Sequence, residues 1–271
     1  MKKKILFLGE RRMADKALQL FFQEPYKEIF DLRGIMVDNV LEARYASQCS
    51  DSSVTVISNV SRNEHLLLEL IKQEHIDCLI SVQHPWILSP EIINAVSGMA
   101  FNLHNAKLPH YKGYNSLSHE ILANEEQHTS TLHWISEVVD EGDLVFEESV
   151  EINENDTALS LYQKSLSSSF NVFKKFLDAL AQNDIPRIKY RGKGRFFKRN
   201  TIDAVSCLSG LLDTETIARH ARAAYFPPYN VAYFKDNNEK FAVLPYQEVA
   251  AYLNSLLPAN QPQTRENKKE K

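Results

Sequence analysis

The first hundred residues alternate between short apolar runs and segments whose apolar residues recur with helical spacing, and this alternation constrains the fold more than any other feature. Residues 5–8 form an apolar run that stops at Gly9, and Ala14, Ala17, Leu18 and Phe21 follow at the spacing of one helix face. Residues 35–37 and 54–57 read as further strands. Ser61, with Glu64 three residues on, reads as a capping box ahead of a helix over residues 66–75. Residues 77–82 read as a strand, Ser89 and Pro90 as the N-cap and first-turn residues of a helix reaching Val96, and residues 99–103 as another strand. Strands and helices in this order predict an α/β fold: a mostly parallel sheet covered by helices on both faces. Ligands of such sheets bind beyond the carboxyl ends of the strands.

Further on, residues 115–123 read as a helix, and residues 129–135 and 144–152 as strands. A long helix begins near Asp156, its core stripe running through Leu159, Tyr162, Leu166, Phe170, Phe173, Leu177 and Leu180. The character changes after Pro186. Residues 188–198 alternate around Gly192-Lys193-Gly194 and predict a hairpin, Asp213 caps a short helix to Ala223, and residues 241–244 read as a last strand. The expected organisation is one α/β domain over residues 1–184, a small C-terminal α+β appendage (hairpin, helix and aromatic loop) over 185–258, and a polar, disordered tail over 259–271.

Composition excludes several classes. A net charge of −4 disfavours a long grip on a nucleic-acid backbone. The apolar run after Met1-Lys2-Lys3-Lys4 is shorter than the roughly 7–15 residues of a secretory core, and no window approaches the roughly 20 apolar residues of a membrane span. Cys49, Cys78 and Cys207 are unclustered and odd in number, which suits reduced thiols in a cytoplasm and gives no metal-ligand spacing.

The chemistry-bearing residues converge on one strand end. Asn102 and His104 are two apart on a strand, so both point to one face with Leu103 behind them. The acidic turn Glu137-Val138-Val139-Asp140-Glu141-Gly142-Asp143 follows after enough chain for a helix and a strand to bring it back to that edge. An amide N–H and an imidazole can stabilise the oxyanion of acyl transfer to an amine, and a carboxylate can orient the imidazole and help remove the amine proton. Alone, the pair also fits a satisfied core histidine beside a strand-end asparagine.

Four blocks in order resolve that ambiguity. Asn102-Leu103-His104, Leu108-Pro109-x-Tyr111-Lys112-Gly113, Thr131-x-His133 and Val139-Asp140-x-Gly142-Asp143 resemble the N10-formyltetrahydrofolate-dependent formyltransferase family, with the likeness spanning residues 1–185. The resemblance implies a Rossmann-like domain, a folate formyl donor that leaves as tetrahydrofolate, no metal, and catalytic roles for Asn102, His104 and Asp140. It also implies folate contacts at Ser81, Gln83, Pro85, Trp86, Val138, Val139 and Asp140, although Trp86 fits ordinary packing equally well and His133 reads as structural. One departure is Asn105-Ala106-Lys107-Leu108-Pro109 where the commoner pattern is Pro-Ser-Leu-Leu-Pro; it frees Lys107 for phosphate.

Within the family, Tyr114-Asn115 and the stretch from Tyr225 to Phe234 resemble the sugar N-formyltransferases. That branch implies a nucleotide-linked amino-deoxysugar acceptor, with dTDP-4-amino-4,6-dideoxyglucose for O-antigen or other lipopolysaccharide synthesis as the specific expectation. It further implies a cytoplasmic homodimer without nucleic-acid or membrane partners. Lys107, Lys112 and Arg222 are the candidate diphosphate ligands, and Tyr114 and Asn115 candidate sugar contacts. Tyr225, Phe226 and Tyr229 either stack on a nucleobase or pack the appendage onto the main domain. The Gly9-Glu10-Arg11-Arg12 loop fits a ribonucleotide formyltransferase poorly. The rival readings are a methionyl-tRNA formyltransferase and a non-catalytic sugar-nucleotide or folate sensor.

Overall fold

The structure, a computed structural model, describes residues 2–60, 62–190, 192–210, 213–237 and 239–256. The apolar runs of the first hundred residues become strands of one sheet. The first half of the chain contains β1 (Lys3–Gly9), α1 (Arg11–Gln19), α2 (Tyr26–Ile29), β2 (Phe30–Val37), α3 (Asn39–Gln48), β3 (Thr55–Ser58), α4 (Glu64–Glu74), β4 (Cys78–Val82), α5 (Pro90–Ala95) and β5 (Ala100–His104). Then come β6 (Tyr111–Gly113), α6 (Ser116–Leu122), β7 (Gln127–Trp134), β8 (Leu144–Glu151) and α7 (Ala158–Gln182). The remainder is β9 (Arg195–Phe197), α8 (Thr201–Ser206), α9 (Thr214–Ala224), β10 (Ala232–Asp236), β11 (Glu239–Val243) and α10 (Tyr246–Ser255).

The main sheet has the order β3-β2-β1-β4-β5-β7-β8. Its first five strands are parallel, and β7 and β8 are antiparallel. The chain winds outward from β1 to β3, then crosses back and winds the other way through β4 and β5. The order reverses between β1 and β4, where a doubly wound sheet opens its crevice. Residues 5–8 are wholly buried because both faces are covered: Ile5 and Phe7 pack with Phe21, Phe101, Phe173 and Phe176, and Leu6 and Leu8 with Leu67, Leu70, Ile71 and Ile92. Each such side chain contributes about 1.5–3 kcal/mol when fully buried.

Helix α7 has a broader buried face than the expected stripe. Leu161, Val172, Phe176 and three serines (Ser165, Ser168 and Ser169) are buried as well, and Leu159, Tyr162 and Phe170 lie half-buried at the margin. The extra width follows from its neighbours, since α7 packs on β7 and β8, on α1, and on α6 and α9. A separate apolar cluster of Ile121, Ala158, Leu161, Val205, Leu208 and Ala221 joins α6 and α7 to α8 and α9.

Three local expectations change. Ser61 lies outside the described residues, and the cap of α4 is Asn63, whose side chain accepts from Leu66 N at 3.1 Å. Ser89 occupies the N-cap of α5, but its buried hydroxyl has no partner among the described residues. The hairpin expected over residues 188–198 does not form: Ile188 bridges antiparallel to Leu144, and β9 pairs in parallel with β6. Gly194 lies against the chain at Pro109, where a Cβ would come within 1.4 Å of the carbonyl oxygen, so the glycine serves close approach rather than a tight turn. The hairpin of this region is β10–β11, and it contains the strand expected near residues 241–244. The tail expected to be disordered, residues 259–271, lies outside the described residues.

Candidate active site

Strand β5 delivers the site. Leu103 is buried, and Asn102 and His104 flank it from the opposite face, both only partly covered. The antiparallel pairing of β7 sets His133 directly across from Asn102. The loop between β7 and β8 then carries Asp140 over both imidazoles: Asp140 Oδ1 is 3.8 Å from His104 Nδ1 and 3.6 Å from His133 Nε2. Gly142 permits this path, because a Cβ there would sit 1.6 Å from Trp134 O.

The hydrogen bonds fix each group's role. A carbonyl oxygen only accepts, so His133 Nδ1–H donates to Trp134 O at 2.8 Å, and Nε2 accepts from Asn102 Nδ2 at 3.1 Å. Asn102 Oδ1 accepts from Ser81 Oγ at 2.9 Å, so its amide is held from both ends. His104 Nε2–H donates to Tyr111 O at 2.8 Å, which leaves the Nδ1 lone pair toward Asp140. Gly113 N donates to Asp140 Oδ2 at 2.8 Å. Burial would raise the Asp140 carboxyl, but the attraction of His104 once that ring is protonated, then that of His133, and the Gly113 N–H together hold it well below the usual carboxylate range.

These groups stand in a cavity of about 540 Å³, within the size range of small-molecule sites. The loop after β4 contributes Ser81, Gln83, His84, Pro85 and Trp86, and the loop of Asp140 adds Val139. Tyr114 and Asn115 come from the start of α6, and Phe226 and Tyr229 from the aromatic loop. The other expected contacts are not in the wall. Val138 is exposed beside it, and Lys107 is exposed elsewhere on the surface. Lys112 is buried in an ion pair with Glu141, the Arg222 guanidinium donates to Asp156 O, and Tyr225 O receives the Leu159 N–H.

The arginines and lysines of the wall, among the described residues, are instead Arg11 and Arg199. The Arg11 guanidinium lies 5.5 Å from the Tyr229 ring centre, and that of Arg199 lies 4.8 Å from Tyr114. Arg11 was within reach of sequence reasoning, since it stands just past the carboxyl end of β1, where ligands of such sheets bind. His133, which the sequence offered only as a structural residue, owes its place in the site to strand register. Four wall residues, Arg11, Gln83, Asn115 and Asp140, have φ between 54° and 67° without being glycine. Such backbone costs about 1–3 kcal/mol per residue and concentrates at functional sites. His84 has no partner at either ring nitrogen among the described residues, and burial pushes its imidazole down to about 4. No group of three or more His, Cys, Asp or Glu side chains is gathered to hold a metal, and no helix is long and apolar enough to cross a membrane, among the described residues.

Comparison with known proteins places this geometry. Residues 30–177, more than half of the chain, match the family model described as formyl transferase. Among solved structures, a 4-N formyltransferase from Francisella tularensis matches with TM-score 0.74 and 20% identity, over 89% of this chain and 96% of that one. A sugar N-formyltransferase from a Shewanella species matches with TM-score 0.71 and 20% identity, over 89% and 96%. An N-formyltransferase from Helicobacter canadensis, in complex with folinic acid and dTDP-3-aminofucose, matches with TM-score 0.70 and 22% identity, over 89% and 86%. At these identities the likeness establishes a shared fold.

Proposed function

We propose that this chain, which belongs to the formyl transferase family, moves a formyl group from N10-formyltetrahydrofolate to the amine of a nucleotide-linked amino-deoxysugar. One observation carries the reading. A single cavity joins the Asn102–His104–Asp140 cluster to a rim where Arg11 lies over Tyr229 and Arg199 over Tyr114. A folate needs an apolar slot next to the reacting groups, and a sugar nucleotide needs aromatic faces and charge for its diphosphate. The Helicobacter canadensis enzyme of the same fold holds a folate and a dTDP-sugar together.

The loop after β4 fits the folate. Pro85, Trp86 and Val139 give apolar walls, Ser81 and Gln83 stand beside them, and the unpartnered His84 nitrogens lie in the same loop. When bound, the folate supplies the formyl carbon activated for attack. The amine nitrogen bonds to that carbon, the carbon–N10 bond breaks, and the proton lost by the amine ends on the departing N10. Asn102 Nδ2 gives one N–H to His133 and has a second for the charge that grows on the formyl oxygen. His104 Nδ1, which has a lone pair while Nε2–H stays on Tyr111 O, takes the amine proton, and Asp140 Oδ1 stabilises the imidazolium.

On the acceptor side Arg11 and Arg199 hold the diphosphate in place of Lys107, Lys112 and Arg222, and Phe226 or Tyr229 stacks on the base. The preferred acceptor is dTDP-4-amino-4,6-dideoxyglucose, for O-antigen or similar surface polysaccharide, and residues 1–184 and 185–258 act as catalytic domain and appendage. The working form is a cytoplasmic homodimer. Exposed Phe241, Tyr246 and Tyr252 on β11 and α10 support the pairing of copies, and the buried free thiols of Cys49 and Cys78 support a reducing compartment. A thermal-shift screen with dTDP, UDP and GDP tests the acceptor class, because binding to the native state raises the melting temperature. A rise with dTDP is expected, and no rise with any of the three removes the sugar-nucleotide reading.

A further inference from the structure

A buried polar network behind the site is used by none of these steps. Glu120 and His128 are almost wholly enclosed, 1% and 0% exposed, and pair at 2.6 Å between Glu120 Oε2 and His128 Nδ1. The other ring nitrogen, Nε2, lies 3.0 Å from Asn105 Oδ1, and Ser169 Oγ donates to the same oxygen at 3.4 Å. Ser169 continues the network through Ser130 to Ser168. An ion pair in a core is often no more stabilising than apolar side chains of the same volume, and Glu120 Oε1 has no partner among the described residues. Stability alone does not account for it.

What the network holds is Asn105, the residue after His104 and part of the cavity wall. The Asn105 backbone oxygen accepts from Ser116 Oγ at 2.6 Å, so main chain and side chain are both pinned. With Oδ1 engaged by His128 and Ser169, the amide nitrogen is the end left over. It makes no hydrogen bond among the described residues and is not one of the buried unpartnered atoms, and Asn105 lines the cavity.

We propose that Asn105 is a specificity-determining residue of the acceptor pocket: the Glu120–His128 pair fixes its carboxamide so that Nδ2 donates to the sugar hydroxyl next to the reacting amine. The inference rests on the sugar-nucleotide reading. A site built to donate to a hydroxyl discriminates sharply, because without that hydroxyl a polar group is left unpaired. Glu120 and His128 are positioning residues, since neither is in the wall.

The test uses Asn105→Asp, which keeps the size of the side chain and its acceptor for His128 but removes the donor. Steady-state kinetics with N10-formyltetrahydrofolate and dTDP-4-amino-4,6-dideoxyglucose should show the KM for the sugar nucleotide rising roughly 10-fold, with the folate KM and melting temperature unchanged. Glu120→Gln should raise the same KM and leave the folate KM alone, because the ring no longer has to donate at both nitrogens and the amide can turn over. An acceptor lacking the 3-hydroxyl should be used equally by wild type and Asn105→Asp. A sugar-nucleotide KM that stays put in Asn105→Asp, or rises in step with the folate KM, overturns the proposal. Folded wild type that formylates no dTDP-amino sugar sinks the sugar-nucleotide reading and this proposal with it.

Discussion

Asp140 stays ionised because three neighbours outweigh its burial: His104, His133 and the Gly113 N–H. A carboxyl depressed in the folded state contributes stability that is present above its unfolded value of about 3.9 and lost as pH falls toward the folded value. Asp140→Asn should therefore lower the melting temperature relative to wild type more at pH 7 than at pH 3, and thermal scans across that range read the difference. The same change should reduce turnover by about 10²–10⁴-fold, the range for losing a positioned proton-transfer group. Ser81→Ala removes the hydroxyl that holds Asn102 Oδ1. It should lower kcat by about 2–10-fold with little change in the folate KM, in line with one neutral hydrogen bond. At this scale the sequence displayed Asn102, His104 and Asp140 through residue type and order. It concealed the pairing of Asn102 with His133, because a two-residue period cannot say which strand lies alongside.

Elements place those side chains, and the loop between β7 and β8 is tightly constrained. Gly142 passes so close to Trp134 that Gly142→Ala would drive a Cβ into its carbonyl. Displacing Asp140 by even 1 Å is expected to lower kcat about 10²-fold, and the melting temperature should fall as well; kinetics and calorimetry on the variant check both. The parallel half of the sheet was legible because strands buried on both faces have continuous apolar runs, as residues 5–8 and 78–80 do. Helix α3 was not, since only Leu41 and Tyr45 are buried and its start is set by Asp38 accepting from Val40 N and Leu41 N. Residues 188–198 showed strand-like alternation, but β9 pairs with β6, far away in sequence, and the glycines of the expected turn lie against Pro109.

For the whole molecule, a net charge of −4 spoke against long nucleic-acid contacts, yet it did not show that two arginines distant in sequence meet at one cavity. Arg11 arrives from the end of β1 and Arg199 from beyond β9, and only the closed fold brings them into one cavity. Arg11→Ala and Arg199→Ala should each raise the sugar-nucleotide KM by roughly 10-fold or more while sparing the folate KM, as expected for a charge-assisted contact to phosphate. Moderate salt should narrow the gap between these variants and wild type. The most direct test of the central claim is a transfer assay with mass-spectrometric detection. The purified chain and N10-formyltetrahydrofolate are offered dTDP-4-amino-4,6-dideoxyglucose in one reaction and initiator methionyl-tRNA in another. The expected products are an N-formylated sugar nucleotide that is absent with His104→Ala, and an unmodified tRNA. Formyl-methionyl-tRNA from the second reaction, with no formylated sugar from the first, would contradict that claim.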